Sequence, residues 1–138
     1  MGPGLPRPPR PEDDNSAAVK AHLAEKMPEW EALDFVPGER FPEQSNDDHP
    51  IQYGMPFWRD IFSPRQLLGH GTAVEVFREI LEEEERRGLS DLTRAAFVYL
   101  ALSLDKMLDY NSRLVTWHSK REVMDHTFWQ HAFPFKWS

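Results

Sequence analysis

The sequence contains no cysteine. This excludes a disulfide scaffold and a Cys-ligated zinc site within the 138 residues, and it fits a reducing compartment. Long apolar runs are also missing, because the longest, Ala95 to Leu102, has eight residues whereas a membrane span needs about 20. Residues 1–11 lack the apolar centre of a signal peptide. These absences predict a cytoplasmic protein that does not cross a membrane.

Basic residues are in the minority. The chain has 16 Lys and Arg against 23 Asp and Glu, a formal net charge of −7, so it is not built to coat nucleic acid nonspecifically. The charge is unevenly distributed, since residues 1–56 carry a net −6 and residues 111–138 a net +2. The last 28 residues also hold six aromatic rings, which sets them apart from the acidic N-terminal part.

Proline divides the chain into segments. Five of the 12 prolines fall within the first 11 residues, so residues 1–16 are predicted to be a disordered, proline-rich lead-in. Residues 17–56 are predicted to form a short helix, from Ala17 to about Lys26, and then a long acidic loop. That loop is expected to pack on the domain through Trp30, Leu33, Phe35 and Phe41. Residues 57–138 are predicted to be one helical domain, expected to be an excerpt of a larger protein.

A first long helix is signalled at both ends. Ser63 is an N-cap residue followed by Pro64 and, three positions on, by Gln66, which is a capping-box pattern. The helix should extend to about Arg87 and stop at Gly88. Within it, residues 69 and 71 are glycines, and their expected role is to allow another backbone to approach closely.

A second helix is predicted from about Asp91 to Tyr110. Its centre, residues 95–102, is apolar on every side, which predicts a buried helix. The predicted fold is therefore mainly α, with a long antiparallel helical hairpin wrapped by a proline-rich N-terminal arm and an aromatic C-terminal segment. One short strand pair is expected near residues 51–53 or 133–137.

Two groups of polar residues on the helices have a structural and a functional interpretation. His70 has no second ligand at helical spacing, which favours a hydrogen-bonded core histidine over a metal ligand. Asp105 and Asp109 share one face with Arg113, and an ion-pair and capping cluster is favoured there over acid–base groups or metal ligands.

The C-terminal part mixes cations, hydrogen-bonding groups and aromatic rings, as single-stranded or flipped nucleotides require. The alternatives are that the rings complete the core over the second helix, or that they dock on another domain. A further possible contact is the first turn of the first helix, where capping and a surface salt bridge are the alternative roles. The candidate nucleic-acid contacts are Arg65, Gln66, Arg113, Trp117, His118, Lys120, Arg121, Trp129 and Gln130.

Several strings in residues 50–138 carry a family resemblance. They are Tyr53-Gly54, Trp58 to Leu68, Tyr99 to Lys106, Asp109 to Leu114, Trp117-His118, Thr127 to Gln130, Ala132, Pro134 and Trp137. In order and spacing they resemble the central region of large bacterial and archaeal proteins described as adenine-specific DNA methylases with a zinc ribbon. These are grouped with a family named only as a domain of unknown function.

The resemblance implies a parent that is an S-adenosylmethionine-dependent DNA adenine methyltransferase. In that family a glycine-rich cofactor motif lies before this region and an Asp-Pro-Pro-Tyr catalytic motif after it, and this chain has neither. It also lacks the zinc-ribbon cysteines. We therefore expect a non-catalytic segment with no cofactor, metal or catalytic residue of its own, which helps DNA recognition or braces the catalytic domain. Its expected partners are the rest of the parent and DNA. The alternative is a structural module that docks on its parent or self-associates without contacting DNA.

Overall fold

The structure, a computed structural model, describes Pro8, residues 10–43 and residues 49–128. It is mainly helical, as predicted. Its elements are a 3₁₀ turn at Pro11–Asp13, α1 at Ser16–Ala32, α2 at His49–Gln52, a second 3₁₀ turn at Trp58–Ile61, α3 at Pro64–Arg87, α4 at Asp91–Tyr110, β1 at Trp117–His118 and β2 at Val123–Met124. Within the described ranges, no helix combines the length and apolarity needed to cross a membrane.

Helix α3 begins and ends at the predicted residues. The Ser63 hydroxyl accepts a hydrogen bond from the Gln66 N–H, and the Gln66 side chain accepts one from the Ser63 N–H at 2.8 Å. The capping box is therefore complete, with Pro64 at the first helical position. At the other end, Gly88 adopts a left-handed conformation with φ of 91°, which terminates the helix.

Helices α3 and α4 form the predicted antiparallel hairpin. The rings of Phe77 and Phe97 meet edge to face at 5.6 Å, and His70 Nε2 lies 3.0 Å from the Asn111 carbonyl oxygen. Contacts thus run from the start of α3 to the end of α4, which fixes the antiparallel order. Ser90 caps α4 by accepting a hydrogen bond from the Thr93 N–H at 3.1 Å.

Helix α1 is longer than predicted, because it continues through Pro28 to Ala32 instead of ending near Lys26. Pro28 lacks the N–H that would complete a helical hydrogen bond, but the packing of α1 along α3 stabilises the helix on both sides of it. The fully buried Trp30 fills the space above Gly71, where an added Cβ would lie less than 3.0 Å from three ring carbons. The close approach expected at the glycines therefore occurs at Gly71 and is made by a side chain. A Cβ added at Gly69 would meet no atom of another described element within 4 Å.

The hydrophobic core lies between α1, the connection formed by residues 33–62 and the first turns of α3. Its buried members are Trp30, Val36, Phe41, Met55, Ile61, Phe62, Leu67 and Leu114. Trp30 and Phe41 are thus buried as expected, but Leu33 is exposed. The connection is also less irregular than predicted, since it contains α2 and an isolated bridge between Arg40 and Phe57.

The prediction that α4 is buried on every side is wrong. Only Phe97 is buried in this helix, while Leu92 and Tyr99 are 83% and 73% exposed and Val98, Leu100 and Leu102 are more than half exposed. The physical reason is that among the described elements α4 packs mainly against α3, so most of its circumference meets no other element. The wrapping segment expected over it, residues 129–138, lies outside the described residues.

The described residues contain one two-stranded sheet, and it is not at residues 51–53. Ile51 and Gln52 belong to α2, and residues 133–137 lie outside the described part of the chain. The antiparallel pair is instead β1 with β2, and Trp117 faces Met124 across it while His118 faces Val123. Its position follows from a tight reversal at residues 119–122, where Glu122 takes a left-handed φ of 52°.

Candidate nucleic-acid interface

The β1–β2 hairpin carries an exposed aromatic ring in β1 and two exposed basic residues in its turn. Trp117 is 52% exposed, and its cross-strand neighbour Met124 is 47% exposed. Lys120 and Arg121 lie exposed in the turn, where the Arg121 N–H donates to the His118 carbonyl oxygen at 3.1 Å. An exposed indole can stack on a base, and exposed cations on the same hairpin can neutralise a phosphate.

A buried polar network fixes this hairpin to the end of α4. The Thr127 N–H and hydroxyl both donate to the Asp109 carbonyl oxygen, each at 2.6 Å. The Ser112 hydroxyl lies 2.9 Å from the Thr127 hydroxyl and accepts from the Leu114 N–H at 2.9 Å. Ser112 and Thr127 are both buried, so these bonds are protected from water and hold residues 125–128 firmly against α4.

The Asp109 carboxylate is the charged centre of the same network. It accepts from His126 Nδ1 at 2.5 Å and from the Phe128 N–H at 3.2 Å, and Lys106 Nζ lies 3.7 Å away. Burial by itself would raise the pKa of Asp109, but the bonds from His126 and Phe128 and the nearby positive charge outweigh it and hold this pKa below its ordinary value. His126 Nε2 lies 3.0 Å from the Tyr110 hydroxyl, which orients the imidazole.

The predicted cluster of Asp105, Asp109 and Arg113 is therefore only partly correct. Asp109 does hold the following segment, but through His126, Thr127 and Phe128. Asp105 is exposed. Arg113 donates a hydrogen bond from its backbone N–H to the Ile61 carbonyl oxygen at 2.8 Å, not from its side chain to either carboxylate. The sequence spacing identified the right carboxylate and missed its partners, which follow 17 to 19 positions later in the chain.

The first turn of α3 serves mainly to cap and connect. Gln66 completes the capping box and also donates to the Asn111 side-chain oxygen at 3.3 Å, which joins this turn to the end of α4. Arg65 is exposed, and its guanidinium donates a hydrogen bond to the Asn15 side-chain oxygen. This contact takes the place of the expected salt bridge, which would have needed a carboxylate. Of the two, only Arg65 presents a cation to solvent.

Arg113 lines an open cavity of about 310 Å³ together with Arg59. Arg59 also pairs with Glu31 and lies 5.2 Å from the centre of the Phe57 ring. Residue-by-residue reasoning did not single out Arg59, although it belongs to the string Trp58 to Leu68 that carries the resemblance. Asp60 lines the same opening and Glu31 pairs with Arg59, so acidic groups offset the two guanidinium groups there.

His70 has the predicted structural role. It is 5% exposed, its Nε2 bonds to the Asn111 carbonyl oxygen, and its ring meets Phe62 edge to face at 5.0 Å. Among the described residues, no three His, Asp or Glu side chains form a group suited to a metal ion. Gly69 and Gly71 lie inside α3 and not in a turn between a strand and a helix, so they do not form a cofactor-binding loop.

Of the nine candidate contacts, Trp129 and Gln130 lie outside the described residues. The structure groups Trp117, Lys120 and Arg121 on the hairpin. His118 is in the same hairpin but half-buried, and its Nδ1 has no hydrogen-bond partner in the described part of the chain. Arg65 and Arg113 lie apart from the hairpin, at the junction of α3 with the end of α4.

A second surface feature is an apolar groove of about 570 Å³ between α3 and α4. Its lining is almost entirely carbon, from Val76, Phe77 and Ile80 on one helix and Leu100 and Met107 on the other. Such a surface is unusual on a monomeric soluble protein and is typical of a contact with another apolar surface.

Comparison with known proteins adds no relative: no family model, no curated protein and no solved structure matches this chain.

Proposed function

We propose that this chain is a non-catalytic module of an S-adenosylmethionine-dependent DNA adenine methyltransferase, and that it helps the enzyme to hold DNA through the β1–β2 hairpin. The observation that carries the proposal is that one hairpin, fixed to the helices, carries the exposed indole of Trp117 and the exposed Lys120 and Arg121. The family in question is the one that residues 50–138 resemble.

The anchoring of the hairpin supports this role. A nucleic-acid contact gains affinity when its rings and cations are positioned before binding, since less conformational entropy is lost. Asp109 and Thr127 supply that order without using any exposed cation of the hairpin. Arg113 is a further exposed cation, three residues beyond the end of α4.

Salt-dependent binding of the whole chain to labelled duplex and single-stranded DNA tests the proposal. We expect binding that weakens as salt rises, because phosphate contacts release counterions. The paired variant Lys120→Glu/Arg121→Glu should weaken binding by about tenfold or more at low salt, and Trp117→Ala should weaken single-strand binding more than duplex binding.

A matched control reverses two arginines elsewhere, in the paired variant Arg86→Glu/Arg87→Glu at the end of α3, with the same change in net charge. This control should bind DNA nearly as well as the unmodified chain. Millimolar affinity at low salt, or an equal loss in the hairpin variant and the control, would show that the hairpin does not contact DNA.

The second candidate is a structural module that docks on its parent or self-associates without contacting DNA. The exposed apolar surface of α4 and the groove beside it favour this role. Light scattering together with the fluorescence of an apolar-surface dye tests it. A strict monomer that binds no dye would count against an interaction role.

A further inference from the structure

Four residues of α4 form one stripe along the helix. Arg94, Val98, Ala101 and Asp105 are spaced by four, three and four positions. At about 100° per residue they fall within about 60° of the helix circumference, beside the face that packs on α3. This is the spacing of residues that meet a partner helix in a coiled coil.

The stripe has no partner within the chain as described. Arg94, Val98 and Asp105 are all exposed, and neither charged residue makes an ion pair among residues 10–43 and 49–128. The flanking Leu102 is also more than half exposed. Two opposite charges, separated by about 16 Å along the helix axis, therefore lie on either side of an apolar centre in which Val98 is exposed and Ala101 is half-buried.

This order of residues is complementary to itself when reversed. If a second α4 lies antiparallel with its midpoint opposite residues 99 and 100, Arg94 of each copy faces Asp105 of the other. The same alignment places the larger Val98 against the smaller Ala101, which allows close helix approach. A parallel alignment would instead set Arg94 against Arg94 and Asp105 against Asp105, which is unfavourable.

We propose that α4 pairs in antiparallel orientation with α4 of a second copy of this chain, through the stripe formed by Arg94, Val98, Ala101 and Asp105. The interface is isologous, as in most homodimers. It is also short, so we expect weak association with a Kd on the order of micromolar. The inference deepens the interaction role and does not depend on DNA contact.

Charge reversal followed by complementation tests the pairing. Sedimentation velocity of the whole chain, over roughly 5 to 500 μM, should show a concentration-dependent shift from 16.2 kDa toward twice that mass. Arg94→Glu alone and Asp105→Lys alone should each weaken association about tenfold at low salt, because each sets like charges opposite one another twice. The double variant Arg94→Glu/Asp105→Lys, and an equimolar mixture of the two single variants, should both recover association.

Two substitutions on the exposed surface of α3 serve as controls. Arg78→Glu and Glu82→Lys make the same changes in net charge and should leave association unchanged. A monomer throughout the concentration range overturns the proposal, and so does association that the single variants do not weaken or that the mixture does not restore. The same samples titrated with DNA separate this result from the proposed function, since DNA affinity can fail while the dimer persists.

Discussion

Two apolar regions of the chain differ in burial. Around Trp30, residues from α1, the connection 33–62 and the start of α3 enclose a core in which Trp30 is fully buried. In the middle of α4, residues 95–102 form the longest apolar run of the sequence, yet Val98, Leu100 and Leu102 are more than half exposed. Apolar content therefore does not decide burial here, and the number of neighbouring elements does.

The difference assigns the two regions different tasks. The region around Trp30 stabilises the fold, because its apolar surface is removed from water within one chain. The middle of α4 exposes apolar surface that no other described element covers, which is typical of a surface that contacts another apolar surface. Matched substitutions in the two regions test whether their side chains differ in burial as described.

The largest effect is expected for Trp30→Ala. Removing a fully buried indole from the core should lower the free energy of unfolding by about 3–5 kcal/mol. The matched change in the other region, Tyr99→Ala, removes a ring that is 73% exposed and should change stability by no more than about 0.5 kcal/mol. Urea denaturation followed by circular dichroism measures both, and similar losses would show that α4 is covered after all.

The two glycines of α3 give a smaller and more specific comparison. Gly71→Ala drives a Cβ into the Trp30 ring and should destabilise the protein by about 1–3 kcal/mol. Gly69→Ala meets nothing within 4 Å and should stabilise it by up to about 1 kcal/mol through better helix propensity. Thermal unfolding of the two variants should therefore shift in opposite directions. Shifts of the same sign would contradict the packing of Trp30 on α3.

The anchor at the end of α4 comes next. Asp109→Asn removes the charge that accepts bonds from His126 and Phe128, and we expect a loss of about 1–2 kcal/mol at neutral pH. Because the folded-state pKa of Asp109 lies below its ordinary value of 3.8, its contribution is fully present above that pH and is lost as pH falls through the folded value.

Urea titrations at neutral pH and below about pH 4 check this prediction. The difference between the unmodified chain and Asp109→Asn should shrink at the lower pH. The exposed Asp105 supplies the control, since Asp105→Asn should change stability by less than about 0.5 kcal/mol at either pH. A loss for Asp109→Asn that does not depend on pH would mean that the carboxylate charge is not what anchors residues 125–128.

Local signals in the sequence predicted α3 and α4 well, because their ends depend on residues adjacent in the chain. Ser63, Gln66 and Gly88 act within one turn, and the structure confirms each of them. The same reasoning placed His70 correctly in the core, since the absence of a second ligand at helical spacing is also a local fact.

Predictions that required long-range packing were less successful. Helix α1 continues past Pro28 because Trp30 packs at Gly71, a contact between residues 41 positions apart. Asp109 finds its partners in residues 126–128, which no helical spacing indicates. The exposure of α4 could not be read from its apolar sequence, because burial depends on what surrounds the helix.

The smallest effect is expected for the ion pair that joins α1 to α3. Lys26 Nζ lies 2.8 Å from Glu75 Oε1, and this bond lowers the pKa of Glu75 and raises the pKa of Lys26. The contribution of Glu75 to the free energy of unfolding is present above pH 4.5, its ordinary pKa, and is lost as pH falls through its lower folded-state pKa. The contribution of Lys26 to the free energy of unfolding is present below pH 10.5, its ordinary pKa, and is lost as pH rises through its higher folded-state pKa.

A double-mutant cycle of Lys26→Gln and Glu75→Gln should therefore give a favourable coupling between about pH 5 and pH 10 that falls as salt is added, because the lysine is partly exposed and screened. Each single variant should cost less than Asp109→Asn, and Glu82→Gln on the exposed side of α3 is the matched control. A coupling near zero at low salt would mean that the two charges add nothing, and that α1 is held on α3 by the packing of Trp30 at Gly71.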